Sequence, residues 1–92
     1  MLPIIWRDTA RNDLRQIITH IATENPPAAR RMKIRLEAVI QPLSEHPYLY
    51  RTSERASGLR EIVAHPNYII LYRVTATSVE IVNVVHARRQ FP

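Results

Sequence analysis

The chain has 92 residues, thirteen basic and eight acidic side chains, and a formal net charge of +5. That length makes a single domain, residues 1–92, with one small core. The absence of Cys excludes disulfide staples and thiolate metal sites and fits a reducing, cytoplasmic setting.

The first element expected is a short strand over residues 2–7, "LPIIWR". Pro3 has no N–H, which suits a strand's start or a sheet edge. The apolar run there is too short for a signal peptide and lacks a basic start, and no stretch approaches a membrane span. Asp8 or Thr9 offers an N-cap for a first helix. Ala10, Leu14, Ile17, Ile18 and Ile21 then recur at helical spacing as one stripe. Asn25-Pro26 ends that helix and starts the next, with Pro26 at the first helical position. The second helix sets Ala29, Met32, Leu36, Val39 and Ile40 on one side and Arg30, Arg31, Lys33 and Arg35 on the other, and Pro42 ends or kinks it. Joined so tightly, the two helices form an antiparallel hairpin. Residues 44–58 read as a loop. Three strands follow, at 59–65, 68–74 and 79–86, separated by Pro66-Asn67 and by "TATS". The fold class is therefore α+β: an N-terminal strand, an antiparallel helical hairpin and a three-stranded antiparallel meander.

Symmetric turns pair His65 with Tyr68, Val63 with Ile70, Arg60 with Arg73, Arg73 with Glu80, Leu71 with Val82 and Ile69 with Val84. One surface then carries Glu61, Val63, Tyr68, Ile70, Tyr72, Ile81 and Val85. The other carries Arg60, Ile62, Ala64, Ile69, Leu71, Arg73, Glu80, Val82, Val84 and His86. A one-residue slip would reverse each face. Both surfaces are apolar, and so short a hairpin covers only one. The cover for the second is either the 44–58 loop, through Tyr48, Leu49 and Tyr50, or another protein chain, and a bare apolar patch of that size favours the second chain. Arg60 beside Arg73 is destabilising by like charge. Either Glu80 completes a salt-bridge row or the pair awaits an anion, a carboxylate or a phosphate.

Twelve of the thirteen basic residues are Arg, whose planar fork suits carboxylates and phosphates, so an anionic partner is expected: nucleic acid or an acidic protein. His86, Arg88 and Arg89 close the last strand as a basic cluster. It is either a docking patch or a charged cap that discourages edge pairing. The remaining histidines, His20, His46 and His65, have no ligand spacing, so neither metal nor cofactor is expected.

The stretches "IIWRDTARNDLRQIITHIA", "NPPAARRMKIRLEAVIQPLSEHP", "GLREIVAHPNYIILYRV" and "VEIVNVVHARRQF" together resemble the RelE/ParE superfamily of bacterial toxins, often labelled plasmid stabilisation proteins. Trp6, Ala10, Asp13 and Leu14, then Gly58, Arg60 and Glu61, then Tyr68 and Tyr72, then His86, Arg88 and Arg89 carry the resemblance in order. It implies the toxin of a type II toxin–antitoxin pair, neutralised by an acidic antitoxin with a partly disordered tail. It also implies that the Tyr-bearing sheet face packs on the helices while the other face is concave and open. One branch of that superfamily cuts mRNA in the ribosome; the other poisons DNA gyrase. Cleavage would need a base, an acid and cations around the phosphate. The only set available is Arg60, Arg73, His86 and Arg89, because Ile62 and Ile69 stand where ribonucleases of the group carry cations and no Tyr or His follows Arg89. The closing His-x-Arg-Arg resembles the gyrase-directed branch. Target binding, with DNA gyrase as the first target and ribosome-bound mRNA as the alternative, is therefore expected at His86, Arg88 and Arg89, and antitoxin binding at Arg60, Ile62, Ile69, Leu71, Arg73, Val82 and Val84, with no membrane partner; catalytic roles fall to Arg60, Arg73, His86 and Arg89 only if the chain is a ribonuclease.

Overall fold

The computed structural model describes residues 1–88. Strand β1 (Ile4–Trp6) leads into helix α1 (Asp8–Glu24), then α2 (Pro26–Ala38), a 3-10 turn (Gln41–Ser44) and strands β2 (Arg60–His65), β3 (Tyr68–Val74) and β4 (Val79–His86). Each expected element is present. The first helix begins one residue early: Arg7 stands at the N-cap without a side-chain bond, and Asp8 sits in the first turn, where a carboxylate favours the helix dipole. Asn25 caps α2, its Oδ1 accepting from the Ala28 amide at 3.1 Å, with Pro at the first position. That single residue also terminates α1, which forces the hairpin.

The sheet order is β1-β4-β3-β2, with β1 parallel to β4 and the other pairs antiparallel. His65 pairs with Tyr68 and Arg73 with Glu80, as the turns predict. Between those anchors the register departs from expectation twice. Ala64 is an extra residue in β2, so Val63 meets Ile69 and Arg60 meets Tyr72. Val82 is an extra residue in β4, so Leu71 meets Asn83 and Ile69 meets Val85. Among the described residues no non-glycine residue has positive φ, so the two-residue Pro66-Asn67 corner lacks the primed geometry that matches strand twist, and the bulge two residues away re-phases the ladder.

A bulge leaves backbone groups without a ladder partner, and buried ones must be satisfied elsewhere. Here the helices supply them. Arg35 Nε of α2 donates to the Ala64 carbonyl at 2.8 Å. Thr9 Oγ1 of α1 donates to the Val82 carbonyl. Asp13 Oδ2 accepts from the Val84 amide and from Asn83 Nδ2, both at 2.9 Å. The helical layer thus fixes both irregularities in place.

These slips move side chains between faces. The helix-side core gathers Ala10, Leu36, Ile40 and Leu43 with Ile62, Ala64, Ile70, Tyr72, Val79, Ile81 and Val84 from the sheet. The Tyr-bearing face does pack on the helices. Ile62 and Val84, expected on the opposite face, belong to this core because each follows from a bulge. The opposite face holds Ile69, Leu71 and Val85, buried against Ala56, with Leu59 and Ala87 alongside. The preference for a second chain over the 44–58 loop as the cover of that face is corrected in part: residues 51–59 of the same chain lie over Ile69, Leu71 and Val85, while Val63, paired with Ile69, stays exposed. Tyr48 and Leu49, expected to provide that cover, are exposed instead.

Candidate functional site

Residues 51–59 form a strap held by backbone and by charge. Thr52 bridges Arg60, Ser53 N donates to the Leu59 carbonyl at 2.8 Å, and Glu61 N donates to the Arg51 carbonyl at 3.0 Å. Gly58 adopts φ 79, a conformation that favours glycine and turns the strap back into β2. Under the strap lies Glu61, only 5% exposed. Its Oε2 accepts from Arg51 Nη2 at 2.7 Å and Nε at 3.1 Å, and its Oε1 from Ser53 Oγ at 2.7 Å. Arg55 Nε completes the cluster, 3.6 Å from Oε1. Burial pushes against ionisation of this carboxyl, but the Ser53 bond and the Arg51 and Arg55 guanidinium groups outweigh it, so its pKa falls below the ordinary value. A buried carboxylate persists only with such partners.

The C-terminal basic cluster begins where β4 ends. His86 pairs with Tyr68, their rings 5.5 Å apart edge to face, and Tyr68 in turn lies 5.9 Å from His65. His86 opens onto a groove of about 200 Å³ shared with Asp13, Gln16, Ile17, His20, Tyr68 and Val84. The following turn is clamped on both sides. Ala87 N donates to the Asn67 carbonyl at 2.7 Å; the Ala87 carbonyl accepts from Arg55 Nη1 at 3.3 Å. Arg88 N donates to His86 Nδ1 at 3.2 Å, and the Arg88 side chain is exposed. Arg89 lies outside the described residues.

Arg60 and Arg73 do not stand opposite each other. Arg60 meets Tyr72, donates from Nη1 to the Tyr50 carbonyl at 2.8 Å, and stacks its guanidinium 4.9 Å from the centre of the Tyr48 ring. Arg73 Nε binds Glu80 Oε1 at 2.6 Å, and Arg7 reaches the same oxygen at 3.4 Å. The salt-bridge row is therefore Arg7–Glu80–Arg73, without Arg60. The Arg73 hydrogen bond is the main reason the Glu80 carboxyl titrates below its usual range. Both arginines line a cleft of about 300 Å³ with Tyr48, Thr52, Ser53, Ser57, Gly58, Leu59 and Val74. Among the described residues no carboxylate lies within ion-pair distance of Arg60.

The two basic features are separated. His86 pairs with Tyr68 and Arg60 with Tyr72, four residues along β3, a span of about 13 Å at ~3.3 Å per residue. His86 and the arginines line different clefts. Of the expected antitoxin-contacting residues, Ile62, Ile69, Leu71 and Val84 are at most 4% exposed, so none offers a surface in this conformation. Val82 is half-buried, Arg60 is half-buried at the cleft, and Arg73 is exposed. The Glu61 cluster and the Asp13 bonds were missed as features. Their signal was present: a glutamate inside the apolar run "LREIVA", and an aspartate on the apolar side of α1. Among the described residues no group of three ligating side chains could hold a metal, and no helix is long and apolar enough to cross a membrane.

A model of the family described as "ParE toxin of type II toxin-antitoxin system, parDE" matches residues 4–91. The chain is 37% identical over 89 residues to Toxin RelE2 of Caulobacter vibrioides, covering 97% of this chain and 99% of that protein. Its fold is similar to a chain of the chromosomal ParDE system of P. aeruginosa, with TM-score 0.81 at 21% identity over 94% of this chain and 96% of that one. It is also similar to a chain of the E. coli DinJ-YafQ toxin-antitoxin complex, with TM-score 0.64 at 13% identity over 99% and 98%.

Proposed function

Because this chain belongs to the ParE toxin family of type II toxin–antitoxin systems, we propose that it inhibits DNA gyrase by docking rather than by hydrolysis, in the bacterial cytoplasm, and that a cognate antitoxin neutralises it. The observation that carries this reading is the separation of groups. Concerted proton transfer needs a base within hydrogen-bond reach of the reacting hydroxyl and cations on the same phosphate. His86 stands about 13 Å along β3 from the residue that Arg60 pairs with. The two further positions where a ribonuclease of this kind would carry cations are the buried Ile62 and Ile69. The end of β4 presents a clamped turn with half-buried His86 and exposed Arg88, followed in sequence by Arg89, beside a mixed groove. That suits recognition of an anionic protein surface.

The antitoxin contacts are proposed at the groups left accessible: the Arg60–Tyr48 cleft, Arg73 and the exposed Val63 on the outer strand. An acidic, partly disordered segment has the charge to fill the first two. Contact with Ile69 and Leu71 would require the strap to move. The name of the Caulobacter relative favours a second reading, cleavage of mRNA in the ribosome through Arg60, Arg73, His86 and Arg89.

Arg88→Glu combined with Arg89→Glu tests the first reading. It is expected to restore growth of expressing cells and gyrase supercoiling while circular dichroism stays unchanged. Full toxicity in that variant removes the basic turn from the mechanism. Purified toxin that leaves supercoiling intact but cuts mRNA in a translating extract would establish the second reading.

A further inference from the structure

We propose that the 51–59 strap is a positioning device for the C-terminal basic turn, with Glu61 as its anchor and Arg55 as its link. This rests on the reading of that turn as the target-binding surface, and it adds how the turn is held. A two-residue turn at the end of a strand has no ladder of its own and frays readily. Here both backbone groups of Ala87 are taken by distant parts of the chain: its amide by the Asn67 carbonyl, its carbonyl by Arg55 Nη1. Arg55 makes that second contact from a fixed position. Its Nε faces the buried Glu61 Oε1 at 3.6 Å, and its own amide donates to Ser53 Oγ at 3.2 Å, the hydroxyl that also binds Glu61. The planar fork lets one side chain address two acceptors at once. Ala56 and Ala87 meet in the same apolar cluster, so strap and turn also pack together.

Arg51 provides the internal control. It binds the same carboxylate with two nitrogens yet makes no hydrogen bond to the C-terminal turn among the described residues. Loss of Arg51, which is largely exposed, leaves Ser53 and Arg55 on the buried carboxylate; loss of Arg55 cuts the link. A device of this kind also gives a partner a route to silence the turn without covering it. Any acidic segment that captures Arg55 withdraws the clamp from Ala87.

The test is amide hydrogen exchange on the whole chain, read at residues 84–88 and at β3, for Arg55→Ala, Arg55→Lys and Arg51→Ala, alongside growth inhibition on expression. Arg55→Ala is expected to speed exchange at Ala87 at least tenfold, leave β3 protection unchanged and lower toxicity at least tenfold. Arg51→Ala is expected to leave Ala87 protected and toxicity intact. Arg55→Lys keeps the charge by Glu61 but lacks the fork, so it is expected to behave as the alanine variant does and carries the test if that variant unfolds. Unchanged exchange at Ala87 in both Arg55 variants overturns the strap's positioning role. Faster exchange at Ala87 with full toxicity supports the link and overturns the assignment of the turn as the target surface.

Discussion

The two faces of this sheet are covered in different ways. The helix-side face lies under two helices and a 3-10 turn, and among the described residues eleven buried ones fill it. The opposite face is covered in part by nine residues of irregular chain, with Ala56 and Leu59 as the apolar contribution and a buried glutamate as the fastening, while Val63, paired with Ile69, stays exposed. Close packing between regular elements leaves little room to relax, whereas a strap can settle into space left beneath it. The contrast locates stability on one side and adjustability on the other, and the basic turn is tied to the adjustable side.

The sharpest way to break this comparison is a pair of leucines. Leu36 in α2 and Leu71 in β3 are both fully buried, one on each side. Truncation to Ala within a core costs about 2–5 kcal/mol, depending on how far the site collapses. Leu36→Ala is expected near the top of that range and Leu71→Ala near the bottom, measured by urea unfolding with an unchanged slope. Equal losses would mean the strap packs as rigidly as the helices.

A smaller effect is expected at the fastening. Glu61→Gln removes the charge that holds Arg51 and Arg55 and is expected to cost about 1.5–3 kcal/mol, the range for hydrogen bonds to a charged group. The pH dependence follows from its lowered pKa. The unfolded chain binds a proton near the ordinary value of 4.5, the folded chain only below it. The carboxylate's contribution is therefore complete above that value and is lost as pH falls through the folded one. Stability of the parent chain should decline below about pH 4.5, and Glu61→Gln should flatten that limb. An identical acid limb in both would assign the decline to other carboxylates.

The smallest effect is expected at the exposed row. Glu80 bridges Arg7 and Arg73 at the solvated end of the sheet, where screening leaves such pairs little net worth. Glu80→Gln should shift the unfolding midpoint only at low ionic strength. A large shift at physiological salt would contradict the division between fastening and surface.

The element boundaries were legible because each rests on neighbours in sequence. Asn25-Pro26 ends one helix and caps the next, and β3 and β4 fall at the residues their apolar runs delimit. The faces were not legible, because they hang on Ala64 and Val82. Nothing in "IVAHP" or "EIVNVV" marks an extra residue. Each bulge is stabilised by a helix far away in sequence, through Arg35 for one and through Thr9 and Asp13 for the other. The candidate site divided in the same manner. The basic turn stood in plain sight, while the imagined pairing of Arg60 with Arg73 failed with the register. The role of Arg55 was invisible because its two acceptors, Glu61 and Ala87, meet only in three dimensions.

By itself, then, the order of amino acids determined which segments are helices and strands, where they turn, and that an arginine-rich end follows the last strand, since capping, hydrophobic period and charge are local properties. Only the tertiary structure decided which side of the sheet each residue serves, that the chain covers Ile69, Leu71 and Val85 of its second face itself, and that β1 joins β4 at the edge. A one-residue bulge inverts a strand's faces at almost no cost in local preference. The helices that satisfy its stranded backbone groups are what select it.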